Sequence, residues 1–293
     1  MDLSLYVVRF LHYTAALQLF GIAVFQVWIA PPQLRHAITD TSRRIAIASA
    51  AVLLVSGLAW LMFMAGSMGS GWTDITNLSV IGTVLRVTQF GQVWFWHLLL
   101  VALLLPIAAL GLRGSAGWAA LALLSTLALG SLGLIGHAAI AEGYAGLLNR
   151  SSHILHALSS GFWLGSLLPL LYSLRMLKSP ELGVPANVAL RKFSGLGHYA
   201  VAIALASGIS NSWFILRNVE INPAVPYQSL LLLKIALVGV MLLLALVNRY
   251  VFVPRIPNNG PGARQLHDGT IAEIVVSAAI LTLVAMLGVL SPS

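Results

Sequence analysis

Eight apolar runs, each long enough to cross a bilayer, set the strongest limit on the fold of this chain. A bilayer core is roughly 30 Å thick, and a helix that crosses it needs about 20 apolar residues because its backbone polar groups must be satisfied internally. We predict spans at 4–30, 44–68, 93–112, 116–140, 150–174, 192–216, 228–250 and 270–290. The expected fold is all-α and polytopic, with residues 1–293 forming a single membrane domain.

Composition excludes several other classes of protein. Charged residues make up 8% of the chain, against about 25% in an ordinary soluble domain. No insert is long enough for a nucleotide-binding domain, so ATP-driven pumping is not expected. Residues 1–4 lack the basic start of a signal peptide, which predicts a retained first span. Cysteine is absent, so a metal would have to be held by histidine, methionine or carboxylate.

The basic residues predict how the chain is oriented. The formal net charge is +8, but these residues lie in short loops between spans, which does not favour nucleic-acid binding. Short loops rich in Lys and Arg stay cytoplasmic. Eleven of the sixteen basic residues fall in the loops of one side, and four on the other: Arg9, Arg86, Arg150 and Arg217. Both termini are therefore predicted to lie outside the cytoplasm.

A faint internal repeat divides the chain at its middle. His12 precedes Gly21 by nine residues in the first span, and His156 precedes Gly165 by nine in the fifth. The second and sixth spans contain Ser56-Gly57 and Ser207-Gly208. Two similar four-helix halves in parallel orientation, 1–145 and 146–293, would explain these matches.

Histidines are concentrated in the spans. Six of the eight lie within spans or at their ends: His12, His97, His137, His153, His156 and His198. Ionisable residues are costly to insert into a membrane and usually mark a functional path. The alternative is that each histidine hydrogen-bonds between helices. Only His198 belongs to the half of the membrane nearer the basic loops.

Histidine and methionine together suggest copper. His153 and His156 are three residues apart and share a helix face, and a methionine cluster, Met62, Met64 and Met68, ends the second span. Imidazole and thioether groups suit copper, although methionine also serves as adaptable core packing. The candidate ligands are His12, His97, His137, His153, His156, Met64 and Met68, with the methionines in an assisting role.

The repeat predicts a particular pairing. If a two-fold axis along the membrane normal relates the halves, His12 and His156 lie at equal depth and face each other across it. Such a pair would hold one copper ion or, alternatively, the iron of one b-type haem.

Several short segments occur in order along the later spans: Gly136-His137-Ala138, His153-Ile-Leu-His156, Phe162-Trp163-Leu164-Gly165, Arg191-Lys-Phe-Ser194, Ser207-Gly208, Leu232-Leu-Lys234, Glu273 and Leu290-Ser-Pro292. In their order and placement they resemble the CopD family of bacterial inner-membrane copper resistance and copper uptake proteins. The resemblance implies an eight-span, non-enzymatic protein that handles copper from the periplasm. It also implies a separate soluble copper-binding partner of the CopC type.

Three functions follow as hypotheses of different classes. The first is a copper acceptor and transporter that receives the metal on the periplasmic side through His and Met ligands. The runner-up is a periplasm-facing redox protein with bis-histidine haem ligation. The third is an assembly factor with no bound metal.

The asymmetry of basic residues predicts that both termini are periplasmic. Alkaline phosphatase fused to the C-terminus should therefore be active, because this enzyme folds only after export. A fusion within the loop 175–191 should be inactive. An inactive C-terminal phosphatase, together with an active cytoplasmic reporter at the same position, would contradict this topology.

Overall fold

The computed structural model describes residues 2–112, 114–136, 143–256 and 262–292 as a bundle of helices. Eight helices in these ranges are long and apolar enough to cross a membrane, which confirms the predicted fold class. They are α1 (Asp2–Ile29), α2 (Pro32–Met68), α4 (Gln89–Gly111), α5 (Ser115–Leu134), α6 (Gly143–Leu174), α7 (Gly183–Leu216), α8 (Pro226–Arg255) and α9 (Gly262–Leu287). A short helix, α3 (Leu78–Val87), lies between α2 and α4.

Several helices are longer than the hydropathy pattern predicted. Helix α2 begins at Pro32, where a proline at the first turn is well tolerated, rather than at 44. Its 37 residues would extend about 56 Å at the usual rise per residue. Hydropathy marks only the apolar part of a helix, and α2 and α7 continue beyond it. Helix α5 ends at Leu134, short of the predicted 140, and residues 137–142 lie outside the described ranges.

The bundle has two ends, which we name by their contents. The terminal face carries the start of α1 and the end of α9, joined where Arg9 Nη1 donates to the Gly288 carbonyl oxygen at 3.0 Å. The basic face carries the connections between α1 and α2, α4 and α5, α6 and α7, and α8 and α9. The segment between α2 and α4 lies at the terminal face and contains α3.

Helices α1 and α6 cross backbone to backbone at Gly21 and Gly165. A Cβ atom on Gly165 would lie 1.9 Å from the Leu17 carbonyl oxygen, and one on Gly21 would lie 2.0 Å from the Gly165 carbonyl carbon. Gln18 Nε2 donates to the Gly165 carbonyl oxygen at 3.0 Å, and Ser166 Oγ donates to that of Gly21 at 3.2 Å. The two glycines of the sequence repeat therefore meet at the contact between the halves, as small residues commonly do in membrane bundles.

Replacing Gly165 by Ala should destabilise the bundle, because the added methyl group meets backbone rather than a movable side chain. We expect a loss of about 1–3 kcal/mol, the range for overpacking in a well-packed core. Thermal unfolding of the purified protein in detergent measures the change. Gly239→Ala in α8 is the matched control, since a Cβ atom there meets nothing within 4 Å. Equal melting temperatures for the two variants would contradict the crossing.

Candidate metal site

The first half of the bundle encloses a pair of histidines on α1 and α4. His12 and His97 are both fully buried, and their Nε2 atoms lie 3.0 Å apart. The Nδ1 atom of His12 lies 3.0 Å from Ser56 Oγ on α2, and that of His97 lies 2.8 Å from Ser131 Oγ on α5. Each of the first four spanning helices thus contributes one side chain to this network.

The serines determine where the imidazole protons lie. Each hydroxyl donates to the backbone carbonyl three residues before it, at 3.2 Å for Ser56 and 2.8 Å for Ser131. A hydroxyl has a single proton, so each serine accepts a hydrogen bond from the Nδ1–H of its histidine. In the neutral tautomer the two Nε2 lone pairs then face each other. Two lone pairs at this distance repel each other, and a proton or a metal ion between them would remove the repulsion.

Aromatic rings enclose the histidine pair. Trp94 stacks on His97 with ring centroids 4.7 Å apart, and its indole Nε1 donates to the Gly57 carbonyl oxygen at 3.0 Å. Trp60 lies edge-on to His12 at 5.5 Å. Trp60 also lines a cavity that opens at the terminal face. Trp60 therefore forms the wall between this cavity and the histidine pair.

The predicted pairing of His12 with His156 is wrong. Both ring nitrogens of His12 are occupied within its own half, by His97 and Ser56. His156 instead turns toward α7, where its Nδ1 lies 3.0 Å from the Ala204 carbonyl oxygen and 3.3 Å from Ser207 Oγ. Sequence spacing gives the depth of a residue in a helix, but the rotation of the helix decides which neighbour the side chain meets.

His12 and His156 nevertheless have similar contacts with the following spanning helix. A Cβ atom on Gly57 would lie 3.3 Å from His12 Cε1, and one on Gly208 would lie 3.2 Å from His156 Cε1. Each repeated histidine thus packs against the Ser-Gly pair of the following span. These equivalent contacts support the proposal that the chain consists of two related halves.

The terminal cavity has a volume of about 550 Å³ and brings together several predicted ligands. His153, His156 and Met64 line it. Because a carbonyl oxygen only accepts, His156 Nδ1 donates to Ala204 and its Nε2 lone pair is left for a ligand. Met68 is half exposed at the end of α2 and is absent from this cavity. His137 lies outside the described residues.

Two further cavities continue from the terminal cavity toward the basic face. The central cavity, of about 220 Å³, shares His153, His156 and Lys234 with the terminal cavity. The basic-end cavity, of about 270 Å³, shares Trp163 and Leu205 with the central one. Because neighbouring cavities share lining residues, they adjoin one another through the bundle.

A buried carboxylate in the basic-end cavity was missed as a candidate site residue. Glu273 lines this cavity and is only 4% exposed, and Asn248 Nδ2 donates to its Oε1 at 2.5 Å. His198, which the sequence placed in the membrane half nearer the basic loops, also lines this cavity. Its Nε2 lies 3.0 Å from the Tyr250 hydroxyl. A lone carboxylate in an apolar run is itself a sign of function.

The described residues contain no group of three or more carboxylate and histidine side chains able to hold a metal ion. A metal bound by these residues would therefore have two nitrogen ligands, or nitrogen ligands assisted by a methionine sulfur. Softer metals accept such ligand sets more readily than ions that require oxygen.

The fold and these groups define a multi-pass membrane protein with polar stations inside an apolar bundle. Comparison with known families identifies it further. Residues 1–147 match the family described as copper resistance protein D-like, N-terminal domain, and residues 187–287 match copper resistance protein D. The chain belongs to the copper resistance protein D family.

Relatives of known name agree with this assignment. The chain is 33% identical to the inner membrane protein YebZ of Escherichia coli over 97% of both chains. It is 30% identical to copper resistance protein D of Pseudomonas syringae pv. tomato, over 97% of this chain and 96% of the relative. It is 28% identical to the copper transport protein CutJ of Bacillus subtilis, over 82% of this chain and 45% of that protein. No solved structure matches the chain.

Proposed function

We propose that this protein accepts copper at the periplasmic face of the inner membrane and transports it toward the cytoplasm. The observation that carries the proposal is the His12–His97 pair, in which two imidazole nitrogens face each other at 3.0 Å inside an apolar bundle. Metal–nitrogen bonds are about 2 Å long, so an ion between the two Nε2 atoms needs a separation of about 4 Å. The rings would separate by about 1 Å to admit it.

Hydrogen bonds to the far side of each ring favour this role. Histidines that bind metals usually donate their other N–H to a fixed acceptor, which sets the tautomer and orients the ring. His12 and His97 donate to serines, and His156 donates to a backbone carbonyl. All three therefore offer Nε2 to a ligand. Neutral nitrogen ligands suit copper in either oxidation state.

The adjoining cavities supply a path. In this proposal the terminal face is periplasmic, and copper first meets His153, His156 and Met64 in the terminal cavity. The His12–His97 pair, behind Trp60, is a holding site beside the path. Glu273 then offers a negative charge in the basic-end cavity, where an ion otherwise has little solvation.

The names of the relatives favour a role in copper resistance or transport rather than catalysis. A soluble periplasmic copper-binding protein of the CopC type would deliver the metal at the terminal face. The segment between α2 and α4, which includes the exposed Trp72, offers a docking surface there.

Bis-histidine haem binding has no specific observation in its favour. A porphyrin between His12 and His97 would need the rings to separate and the packing of Trp60 and Trp94 to open over the whole width of the macrocycle. A Soret band in the visible spectrum of the purified protein would favour haem over copper as the bound group.

Replacing both His12 and His97 by Ala should remove about one copper ion per chain. Metal analysis after copper loading and desalting measures the loss, and X-ray absorption of the unaltered protein should show nitrogen ligands at about 2 Å. His36→Ala, on an exposed part of α2, is the control and should keep full loading. Unchanged copper content in a folded double variant would exclude the pair as a copper site.

Replacing Glu273 by Gln should slow transport while leaving copper binding at the histidines intact. If the carboxylate contributes about 1.4 kcal/mol or more to the passage of the ion, uptake falls at least about tenfold. Copper accumulation in proteoliposomes measures the rate. Glu181→Gln, at an exposed position in the loop before α7, is the matched control. Equal uptake by the two variants would remove Glu273 from the path.

A further inference from the structure

An ammonium group lies in the first third of α8, and no acidic residue of the described ranges forms an ion pair with it. Lys234 lines both the terminal and the central cavity. It forms no hydrogen bond or ion pair with any other residue of the described ranges; the single ion pair found there is His267 with Asp268. An unpaired charge away from bulk water is costly and is retained where it has a partner or a function.

A second cation, Arg9, lines the terminal cavity and contacts neutral groups alone. The Arg9 guanidinium donates from Nη1 to the Gly288 carbonyl oxygen and from Nη2 to the Tyr13 hydroxyl at 3.2 Å. It also lies over the Trp60 ring, 4.7 Å from the centroid. Its Nε is buried without a partner. None of these contacts neutralises the charge of the guanidinium.

The acidic residues within the described ranges leave this cavity positively charged. Only Asp2 among them lines it, and Asp2 is exposed at the terminal end of α1. Glu273 lines the basic-end cavity instead. The remaining described acids line none of the three cavities: Asp40, Asp74, Glu181, Glu220 and Asp268.

Comparison of the two halves gives an independent reason to regard Lys234 as a site residue. His97 is the eighth residue after Gln89, which begins α4, and Lys234 is the eighth after Pro226, which begins α8. In the first half, His97 meets the repeated histidine, His12. In the second half, Lys234 lines two cavities together with the repeated histidine, His156. An ammonium group thus takes the place of the second imidazole.

We propose that the terminal cavity binds a small carboxylate anion, with the Lys234 ammonium as its anchor. An ammonium group has three donors, and charge-assisted hydrogen bonds to a carboxylate are strong where little water competes. Asn211 also lines the cavity and is 8% exposed, and its Nδ2 amide group is a further hydrogen-bond donor for an anion. A volume of about 550 Å³ suits an organic acid better than a single halide ion.

If the terminal cavity binds a carboxylate, copper enters the cavity bound to that carboxylate; this conclusion rests on the proposed function. A bare copper ion approaching Lys234 and Arg9 would be repelled, and the repulsion is strong in a medium of low dielectric constant. A bound carboxylate lowers the positive charge of the cavity. Copper therefore reaches His156 together with its carboxylate ligand. Binding of the anion alone does not depend on copper.

The test is thermal unfolding of the metal-free full-length protein in detergent, followed by tryptophan fluorescence, because Trp60 lines the cavity. Sodium acetate and sodium citrate are titrated against sodium chloride at equal ionic strength. We expect a saturable rise in Tm of a few degrees with a carboxylate and none with chloride, since a ligand that binds only the folded state stabilises it. Lys234→Met should lose this rise. Lys192→Met, at an exposed position on α7, should keep it.

Several results would overturn the proposal. The first is equal stabilisation by all three salts, and the second is an undiminished carboxylate response in Lys234→Met. If Lys234→Met fails to fold, binding of radiolabelled citrate to Lys234→Arg and Arg9→Met replaces it. Lys234→Arg should retain citrate binding, and Arg9→Met should weaken it; the reverse order contradicts the proposal.

An internal counter-ion is the competing explanation, and Glu142, outside the described residues, is the acid to test. A carboxylate response found only in Glu142→Gln would mean that the chain fills the site itself, which overturns the proposal. Because all these measurements use metal-free protein, their failure leaves the copper proposal standing. Conversely, loss of copper from the His12–His97 variants tests that proposal without the anion.

Discussion

The backbone contact between α1 and α6 is the interaction on which the rest of the structure depends. Gly21 and Gly165 have no side chains, and the two helices touch at that level because nothing keeps their backbones apart. The contact joins the first and second halves of the chain. Toward the terminal face, the same two helices supply Tyr13, His153 and His156 to the terminal cavity. One close approach thus sets both the packing of the halves and the position of the space between them.

Inside this framework the polar groups follow a common rule, since a buried polar atom needs a partner. The imidazoles place Nδ1 against a serine or a carbonyl, which leaves Nε2 for another ligand. What Nε2 meets differs between the halves. In the first half it is another imidazole, and in the second it is a cavity that contains an ammonium group. Two halves with similar sequence features therefore produce two chemically different sites.

Much of this could be predicted from the sequence, but unevenly. The eight spans follow from hydropathy because crossing a bilayer requires a fixed length of apolar helix. The excess of His and Met directed attention to copper, and His153, His156 and Met64 do share a cavity. The partner of His12 was mistaken, and Glu273 was not recognised as a candidate site residue. Both errors concern neighbours across helices, and a list of spans contains no information on neighbours.

By itself the sequence determined the fold class, the number of spans, the family and the residue types available for chemistry. These properties depend on the order and composition of residues along one dimension. Only the tertiary structure decided that His12 meets His97, that Trp60 stands between this pair and the terminal cavity, and that Lys234 lines that cavity with no acidic partner among the described residues. The physical reason is rotational: an apolar helix has no strongly polar face to fix its orientation, so contacts such as Gly21 with Gly165 set the direction in which each side chain points.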